Sequence, residues 1–394
     1  MDPSASVSSL PLRVLFVNRM ACLERGGGET FDLEISRHLA LRGVEVAFLS
    51  GAPQFRRAPM PLDRARVLHT PWLRWFPWDK VKGGWRVRQA EFAWFQWRAA
   101  RWIARHAADF DLIQVCELPD LVYGLKKRGV KTPVVMRLTA PNYYDPRGGV
   151  SLADALIASG TSIEQLKIRG HGAVQDIPNA VDSELFRPCS SEARAAYGAG
   201  TDEFVVLYVA RFQAFKNHAM LLDAFARFLK VRPDARLWLA GSGPLRQEMA
   251  RRAEQLGIAE RVRFLGEVPY ARLPSVYAAA DINVISSDYE SFCFAAVEGM
   301  SMALPTLTTA CGWVPRLVAD GAGVVVPVGD AGAFAAELVR LAADPEARRR
   351  LGRRGRELVL ERHTWTVSAD KLLRLYQAVC FRCSAEVPGR TLSG

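Results

Sequence analysis

The chain of 394 residues lacks the features that mark several large classes of protein. It has no run of about 18 apolar residues, so we expect no transmembrane helix. Its first ten residues, MDPSASVSSL, have neither a basic start nor an apolar core, so they do not resemble a secretory signal. An apolar content of 49% and a charged content of 24% do not fit a disordered chain. The sequence predicts a folded protein whose length suits two domains.

Cysteine is sparse, and metal-binding patterns are weak. The seven cysteines are odd in number and scattered, which predicts reduced thiols and a cytoplasmic location. Cys380 and Cys383 form a CxxC pair, but without a second pair a zinc site is not favoured. Asp109-Phe110-Asp111 has the DxD form of metal-dependent sugar transferases, yet it enters a strand and is interpreted as a turn at the strand's start. We expect no metal and no cofactor.

Short β-branched runs alternate with helical patterns along the whole chain. This alternation predicts parallel sheets with helices on both faces, an α/β fold of two doubly wound Rossmann-like domains facing a cleft. Strands are predicted at residues 14–17, 44–49, 112–115, 134–136, 155–158, 204–210, 236–240, 262–265, 282–285, 306–308 and 324–327.

A glycine-rich loop ends in Gly26-Gly27-Gly28 between the first strand and a helix predicted from Glu29 to about Arg42. Glycines at such a position let the backbone approach a ligand, and the helix N-terminus favours an anion. The loop lacks the GxGxxG form, so dinucleotide binding is weakly supported. A plain tight turn is the alternative.

Two glutamates stand eight positions apart in SSDYESFCFAAVEGMSMALP, residues 286–305. Glu290 is expected in the loop after a buried strand, and Glu298 on the helix that follows. Ligands of open parallel sheets bind at that carboxyl end. The alternative is that both are solvated surface residues, but aromatic and apolar neighbours suggest that at least one carboxylate has a designated partner.

Arg211 and Lys216 share the loop after the first strand of the second half. Two cations there, with the Gly241-Ser242-Gly243 turn nearby, can hold a diphosphate and stabilise charge as it leaves. Taken singly, either cation could equally be an ordinary surface charge. A carboxylate such as Glu298 can accept hydrogens from two ribose hydroxyls.

The net charge of +11 is concentrated between residues 55 and 105, where twelve basic residues face three acidic ones. Seven of the ten tryptophans lie between Pro71 and His106. From about Arg86 the segment is predicted to be helical, with one core stripe (Phe92, Phe95, Ala99, Trp102 and Ile103) and an opposite face of Trp94, Trp97, Arg98, Arg101 and Arg105. Tryptophan beside arginine on an outward face suits an anionic membrane surface. Tryptophans packed in the core beside solvated arginines are the alternative, and nucleic-acid binding is disfavoured because no module for it is visible.

Several motifs together resemble the retaining nucleotide-sugar glycosyltransferases of family 4, which have the GT-B fold. The resemblance covers about Leu12 to Tyr376. It rests on the motifs GGGETFDLEISRHLALRGVEV, DIPNAVDSELF, VARFQAFKNHAMLLDAF, GSGP, ESFCFAAVE and HTWTVSADKLLRLY. It implies an acceptor-side domain at 1–180, a nucleotide-sugar-binding domain at 181–362, a last helix at 363–380 that returns to the first domain, and a tail at 381–394.

The resemblance also implies roles for individual residues. Arg211 and Lys216 would grip the diphosphate of the donor, and Glu298 the nucleotide ribose. Glu290 would lie by the hydroxyls of the transferred sugar, near backbone amides of Phe292, Cys293 and Phe294. Gly27 and Gly28 would close on the donor from the other domain, and Gly241 belongs to the donor site. Transfer in this family proceeds with retention and without an essential metal.

The chain departs from the family pattern at four places. Cys293 and Ala180 stand where glycine is common, and Cys311-Gly312-Trp313-Val314-Pro315-Arg316 replaces a GG-x-P-E segment. Arg137-Leu138-Thr139 occupies the region of a frequent acceptor-side histidine. The expected function is transfer to a lipid-linked or polysaccharide acceptor at the inner membrane face. The alternatives are a soluble transferase acting on a small natural product and a non-catalytic binding protein.

Overall fold

The computed structural model describes residues 11–21, 27–53, 65–70, 84–139, 143–189 and 193–385. Its residues up to Pro178, together with those from Ser368 onward, form one compact unit, and Asn179–Val367 form the second. The sequence analysis expected domain boundaries after residue 180 and before residue 363. Within the described residues, no helix combines the length and apolarity needed to cross a bilayer.

The first unit is built on one parallel sheet of seven strands. The strands are β1 (Arg13–Val17), β2 (Glu45–Pro53), β3 (Ala65–Thr70), β4 (Leu112–Cys116), β5 (Val134–Leu138), β6 (Ala155–Ala158) and β7 (Val174–Asp176), in the order β3-β2-β1-β4-β5-β6-β7. Helices α1 (Gly27–Ala40), α2 (Gly84–His106), α3 (Pro119–Lys127) and α4 (Thr161–Ile168) accompany it.

The second unit has a parallel sheet of six strands. Its strands are β8 (Val205–Val209), β9 (Arg236–Ala240), β10 (Val262–Gly266), β11 (Ile282–Ile285), β12 (Thr306–Thr309) and β13 (Gly323–Val326), in the order β10-β9-β8-β11-β12-β13. Its helices are α5 (Ala193–Ala196), α6 (His218–Leu229), α7 (Arg246–Gln255), α8 (Leu273–Ala278), α9 (Phe294–Ser301), α10 (Val314–Leu317), α11 (Ala331–Ala343) and α12 (Pro345–Arg362). The last helix, α13 (Trp365–Ala385), lies in the first unit from Ser368 onward.

Central strands are buried along most of their length because helices cover both faces of such sheets. Val14 to Phe16 and Val205 to Leu207 have no exposed surface. The predicted fold class, two Rossmann-like parallel-sheet domains, is confirmed. Sequence reasoning did not predict β3 and β7, which form the two edges of the first sheet.

The last helix packs within the first unit through polar contacts. The Tyr376 hydroxyl donates a hydrogen bond to Gln114 on β4. Arg42 Nε lies 2.6 Å from Asp370 Oδ1, and the Cys380 thiol lies 3.6 Å from the Asp111 carbonyl. These contacts join α13 to β4, to the residue before β4 and to the turn after α1.

Candidate functional site

Two loops leave the second sheet where its strand order reverses. β8 and β11 are neighbours, with Ile282 paired to Val206. Ligands of open parallel sheets bind outside the carboxyl ends of the strands at such a point. Arg211 and Lys216 follow β8, and Glu290 follows β11. The second sheet therefore places the predicted cations and the predicted glutamate on adjacent loops.

Lys216 and Glu290 form a direct ion pair. The Lys216 ammonium lies 2.5 Å from Glu290 Oε1, with side chains 18% and 8% exposed. The Ser287 hydroxyl donates a second hydrogen bond to the same oxygen at 2.7 Å. A shielded pair of this kind is stronger than one in water, and its ammonium has further donors for a bound anion.

The backbone of Lys216 is fixed by buried hydroxyl groups. Tyr208 Oη and Ser286 Oγ each donate a hydrogen bond of 3.0 Å to its carbonyl. The next residue, Asn217, has a left-handed backbone with φ 45°, and its side chain accepts from Met220 N to cap α6. Asparagine tolerates both roles, so the chain turns sharply here and the lysine stays in the loop.

Arg211 is exposed, and its guanidinium has no hydrogen bond or ion pair with the described part of the chain. The loop that carries it is held by Gly241 and Gly243, with φ of 143° and 151°. A Cβ at Gly241 would lie 2.1 Å from the Ala210 carbonyl oxygen, so only glycine fits. The structure thus assigns Gly241 the role of supporting the arginine loop.

The segment Phe292–Phe294 leads into α9. Cys293 has φ 75°, a left-handed conformation that normally selects glycine, and it is the N-cap residue of the helix. Burial raises the pKa of its thiol well above the usual value. The N–H groups of Phe292 and Cys293 have no hydrogen-bond acceptor within the described ranges. A helix start with unused amides favours a negatively charged ligand group.

Glu298 lies on α9 as predicted and is 6% exposed. The Tyr277 hydroxyl donates a 2.8 Å hydrogen bond to its Oε2. Burial raises the pKa of Glu298 to about 7, and this hydrogen bond opposes part of the rise. The carboxylate therefore has one oxygen held by protein, and it is protonated in part near neutral pH.

Sequence reasoning missed three supporting residues. Ser287 and Tyr277 hold the two glutamates, but an isolated hydroxyl in a sequence carries no sign of its partner. Gly312 has φ 53°, and a Cβ there would meet the Glu290 carbonyl oxygen at 1.8 Å. A glycine at this position could have been noticed in the sequence. No other residue fits there, because a side chain would collide with the Glu290 backbone.

In the first unit, Gly27 begins α1 and Gly28 lies over the ends of β4 and β5. A Cβ at Gly28 would come within 4 Å of Thr139, Arg137 and Cys116. Arg137 is 3% exposed. Its Nη1 donates to the Gly28 carbonyl at 3.2 Å, and its guanidinium lies 3.7 Å from the Phe31 ring centroid. Arg137, which lies where the family often has an acceptor-side histidine, thus holds the start of α1 in place.

The outer face of α2 carries the predicted aromatic and basic residues. Trp94 and Trp97 are 42% and 44% exposed, and their ring centroids are 5.5 Å apart. Arg101 lies 4.8 Å from the Trp97 centroid; Arg105 is also exposed and Arg98 half-buried. The opposite face is buried at Phe95, Ala99 and Ile103. Trp72, Trp75 and Trp78 lie outside the described residues, as does Gly26 of the glycine loop.

The DxD segment makes structural contacts. Arg13 Nη2 and backbone N–H each donate to the Asp111 carboxylate at 2.9 Å. In the part of the chain that the structure describes, no three His, Cys, Asp or Glu side chains are grouped to hold a metal ion. Asp111, just before β4, is therefore joined to the start of β1 by these hydrogen bonds.

Known proteins similar to this chain are glycosyltransferases. The family model described as Glycosyl transferases group 1 matches residues 190–358. A D-inositol 3-phosphate glycosyltransferase from Thermomonospora curvata is 27% identical over 95% of both chains. One from Segniliparus rotundus is 35% identical over 55% of this chain and 49% of the relative. The chain thus spans about half the length of some of the curated relatives it matches.

Solved structures share the fold. HepE from Anabaena, solved in complex with UDP, superposes with a TM-score of 0.73 at 19% identity, covering 93% of this chain and all of HepE. At that identity the likeness concerns the fold alone. Together with the two parallel sheets, it identifies the fold as GT-B.

Proposed function

We propose that this chain, whose residues 190–358 match the family model described as Glycosyl transferases group 1, transfers a sugar from a nucleoside diphosphate donor. The proposed acceptor is lipid-linked or a polysaccharide, at the inner membrane surface. Transfer proceeds with retention of the anomeric configuration and without a metal. The observation that carries the proposal is the Lys216–Glu290 pair at the strand-order reversal of the second sheet.

The donor site is proposed on the loops after β8 and β11. Lys216 and the exposed Arg211 bind the diphosphate, and the unused amides of Phe292 and Cys293 add donors at the start of α9. Glu298 accepts hydrogen bonds from the ribose. Two cations beside a leaving diphosphate supply the charge stabilisation that a metal gives elsewhere.

Glu290 is proposed to bind the hydroxyls of the transferred sugar. Its Oε1 is already engaged by Lys216 and Ser287, at 2.5 and 2.7 Å. Those bonds occupy this oxygen and disfavour its direct attack on the anomeric carbon. A front-face reaction, in which the leaving phosphate assists removal of the acceptor proton, needs no carboxylate nucleophile. The paired-carboxylate logic of glycosidases is therefore not required.

The membrane part of the proposal is supported by the outer face of α2. Trp94, Trp97 and Arg101 form one exposed aromatic and cationic surface. Tryptophan rings suit the headgroup layer, and arginine is attracted to anionic lipids. An acceptor carried by a lipid would be met at that surface.

A second candidate is transfer to a small hydroxylated molecule in solution. It is favoured by the names of the relatives, since those from T. curvata and S. rotundus are both D-inositol 3-phosphate glycosyltransferases. If the acceptor is a small molecule in solution, the proposed donor site keeps the same residues, and the outer face of α2 does not bind lipid.

The donor proposal is tested by thermal unfolding with UDP-, GDP-, ADP- and TDP-sugars, with and without a chelator. UDP-sugars come first because HepE was solved with UDP. A ligand at 100 times its Kd stabilises by about 2.7 kcal/mol, and we expect this for one nucleotide, unchanged by chelator. Lys216→Ala should abolish the shift, whereas Lys230→Ala, an exposed lysine at the end of α6, should keep it. A shift lost with chelator contradicts the metal-free mechanism, and no shift with any donor favours a non-catalytic binding protein.

A further inference from the structure

A third loop of the second unit lies beside the loop that carries Glu290. The middle of the second sheet runs β8-β11-β12, so the loop after β12 is the neighbour of the loop after β11. It contains Gly312 and Trp313 and leads into the short helix α10, which carries Arg316. Trp313 and Arg316 are therefore additional side chains at the same edge of the sheet as Lys216 and Glu290.

The backbone fixes this third loop against Glu290. The Trp313 N–H donates a 3.3 Å hydrogen bond to the Glu290 carbonyl oxygen. Gly312 packs so closely that a Cβ there would lie 1.8 Å from the same oxygen. Val314 and Leu317 are buried, and they anchor the inner side of α10. Trp313 is thus held next to the residue that is proposed to bind the transferred sugar.

Arg316 lies on the exposed side of α10 and stacks on Trp313. Its guanidinium carbon is 4.5 Å from the centroid of the Trp313 ring, and its backbone N–H bonds to the Trp313 carbonyl at 3.0 Å. Stacking uses the flat face of a guanidinium, whereas its N–H donors point outward in the plane. The pair therefore presents an oriented fork of donors, which matches the planar shape of a carboxylate.

The order of the loops shows which part of a donor would reach Arg316. Neighbouring strands lie about 4.8 Å apart, so the loops after β8 and β12 leave the sheet roughly 10 Å from each other. Arg211 and Lys216 on the first loop are proposed to bind the diphosphate, and Glu290 on the middle loop the sugar hydroxyls. A hexose held at these two places extends toward the third loop. Arg316 thus meets the end of the sugar that is remote from the diphosphate.

The charge on the third loop favours an anion. Between Thr306 and Ala319, Arg316 is the one charged residue of the sequence. The next acidic residue, Asp320, has Arg362 at 3.4 Å. A carboxylate would gain a charge-assisted hydrogen bond from Arg316, which is about twice as strong as the bond to a neutral hydroxyl. The third loop therefore discriminates between a sugar with a carboxylate and one with a hydroxymethyl group.

We propose that Trp313 and Arg316 form a subsite for the carboxylate of a hexuronic acid, so that the transferred sugar is a uronic acid. The Arg316 guanidinium binds the carboxylate, and the Trp313 ring keeps the guanidinium in place. The carboxylate takes no part in breaking the bond to the diphosphate. This inference rests on the proposed sugar transfer and names the class of its donor.

The test is calorimetric titration of the full chain with pairs of donors that differ only at C6. UDP-glucuronate is compared with UDP-glucose, and GDP-mannuronate with GDP-mannose. If the thermal panel selects another base, the glucuronate and glucose of that nucleotide are compared. We expect the uronate to have a Kd lower by about tenfold or more, because a hydrogen bond between two charged groups is worth more than one to a neutral group.

Variants assign the preference to the stacked pair. Arg316→Gln removes the charge, so the ratio of the two Kd values should fall toward one. Arg316→Lys keeps the charge but loses the fork, and should retain part of the preference. Trp313→Leu should also lower the ratio, because the guanidinium loses its stacking surface. Arg251→Gln removes the same charge from an exposed site on α7 of the same unit, and it should keep the ratio.

Three results would overturn the proposal: equal or tighter binding of the neutral sugar, a preference that Arg316→Gln leaves unchanged, or an equal loss of preference in Arg251→Gln. The first is measured on the unchanged protein, so it decides even where a variant does not fold. Binding of both sugars without a preference rejects only the carboxylate subsite. Binding of no nucleotide sugar rejects the proposed transfer itself, and the subsite with it.

Discussion

Glu298 is the residue whose surroundings differ most from those of an ordinary glutamate. It is 6% exposed, and Tyr277 is the hydrogen-bond donor to its carboxylate. Burial raises its pKa from 4.5 to about 7. Between these values the folded protein binds more protons than the unfolded chain. Its contribution to stability is therefore largest at low pH and falls as pH rises toward 7.

Replacing Glu298 by Gln should remove this pH dependence. The stability of Glu298→Gln relative to the unchanged protein should rise as the pH increases from 4.5 to 7. At pH 8 the gain should reach about 3 kcal/mol, since each unit of pKa shift is worth about 1.4 kcal/mol. Urea unfolding of both proteins at pH 5 and pH 8 measures the difference. Glu254→Gln, on the exposed face of α7, is the control. Its free energy of unfolding should differ from that of the unchanged protein by the same amount at both pH values. A Glu298→Gln difference that is independent of pH would show that the carboxyl group is not protonated in the folded state.

At the residue scale, the sequence predicts the candidate site residues better than the residues that hydrogen-bond to them. Glu290, Glu298, Arg211 and Lys216 were found because their spacing and strand context follow a pattern. Tyr277 was not, since its hydroxyl comes from another helix, 21 positions before Glu298. Because Tyr277 lies in an apolar stretch, the sequence predicts only that it packs in the core.

At the element scale, the start of α9 carries local strain. Cys293 adopts φ 75° because the chain must turn from the loop after β11 into the helix. A left-handed conformation costs a non-glycine residue about 1–2 kcal/mol. The sequence showed that cysteine stands where the family has glycine, but the sign of φ could come only from the structure.

Cys293→Gly should therefore stabilise the protein slightly. Relief of the left-handed strain is offset by the greater freedom of glycine in the unfolded chain, which leaves a gain of about 0.5–1 kcal/mol. Urea unfolding at constant pH measures it. Cys293→Ala is the matched control, because it removes the thiol and keeps the strain, so it should not gain. If Cys293→Gly is no more stable than Cys293→Ala, packing of the thiol outweighs backbone strain at this turn.

Strands were predicted unevenly. Those in the sheet centres, such as β9 and β11, were placed to the residue because their apolar runs are continuous and bounded by polar residues. The edge strand β7 is only Val174-Gln175-Asp176, and its residues are half-buried or exposed. An edge strand is held by hydrogen bonds to one neighbour, so its side chains carry little pattern.

At the scale of the whole molecule, alternation of strands and helices predicted two parallel sheets. It could not predict the strand order within them, because an alternating pattern fits several orders. The order is what brings the Lys216 and Glu290 loops together, through the pairing of β8 with β11. The ion pair therefore could be found only from the structure.

The net charge of +11 is a property of the whole chain, and part of it lies on one face of α2. Trp94 and Trp97 are exposed beside Arg101 and Arg105. If this surface meets lipid, the protein should co-sediment with phosphatidylglycerol vesicles, less so at high salt, and weakly with phosphatidylcholine alone. Each arginine near an anionic membrane contributes about 1 kcal/mol, so Arg101→Gln with Arg105→Gln should weaken binding about thirtyfold. Trp94→Ala with Trp97→Ala should weaken binding to both kinds of vesicle.

The control removes the same charge elsewhere. Arg350 and Arg353 are exposed on α12 in the second unit. Arg350→Gln with Arg353→Gln leaves the face of α2 intact, so vesicle binding should stay within about twofold, because screening over about 10 Å weakens distant charges at moderate salt. An equal loss in both charge variants would mean that net charge alone draws the protein to the membrane. Absence of vesicle binding by the unchanged protein would favour transfer to a small acceptor in solution, with Trp94 and Trp97 serving another partner.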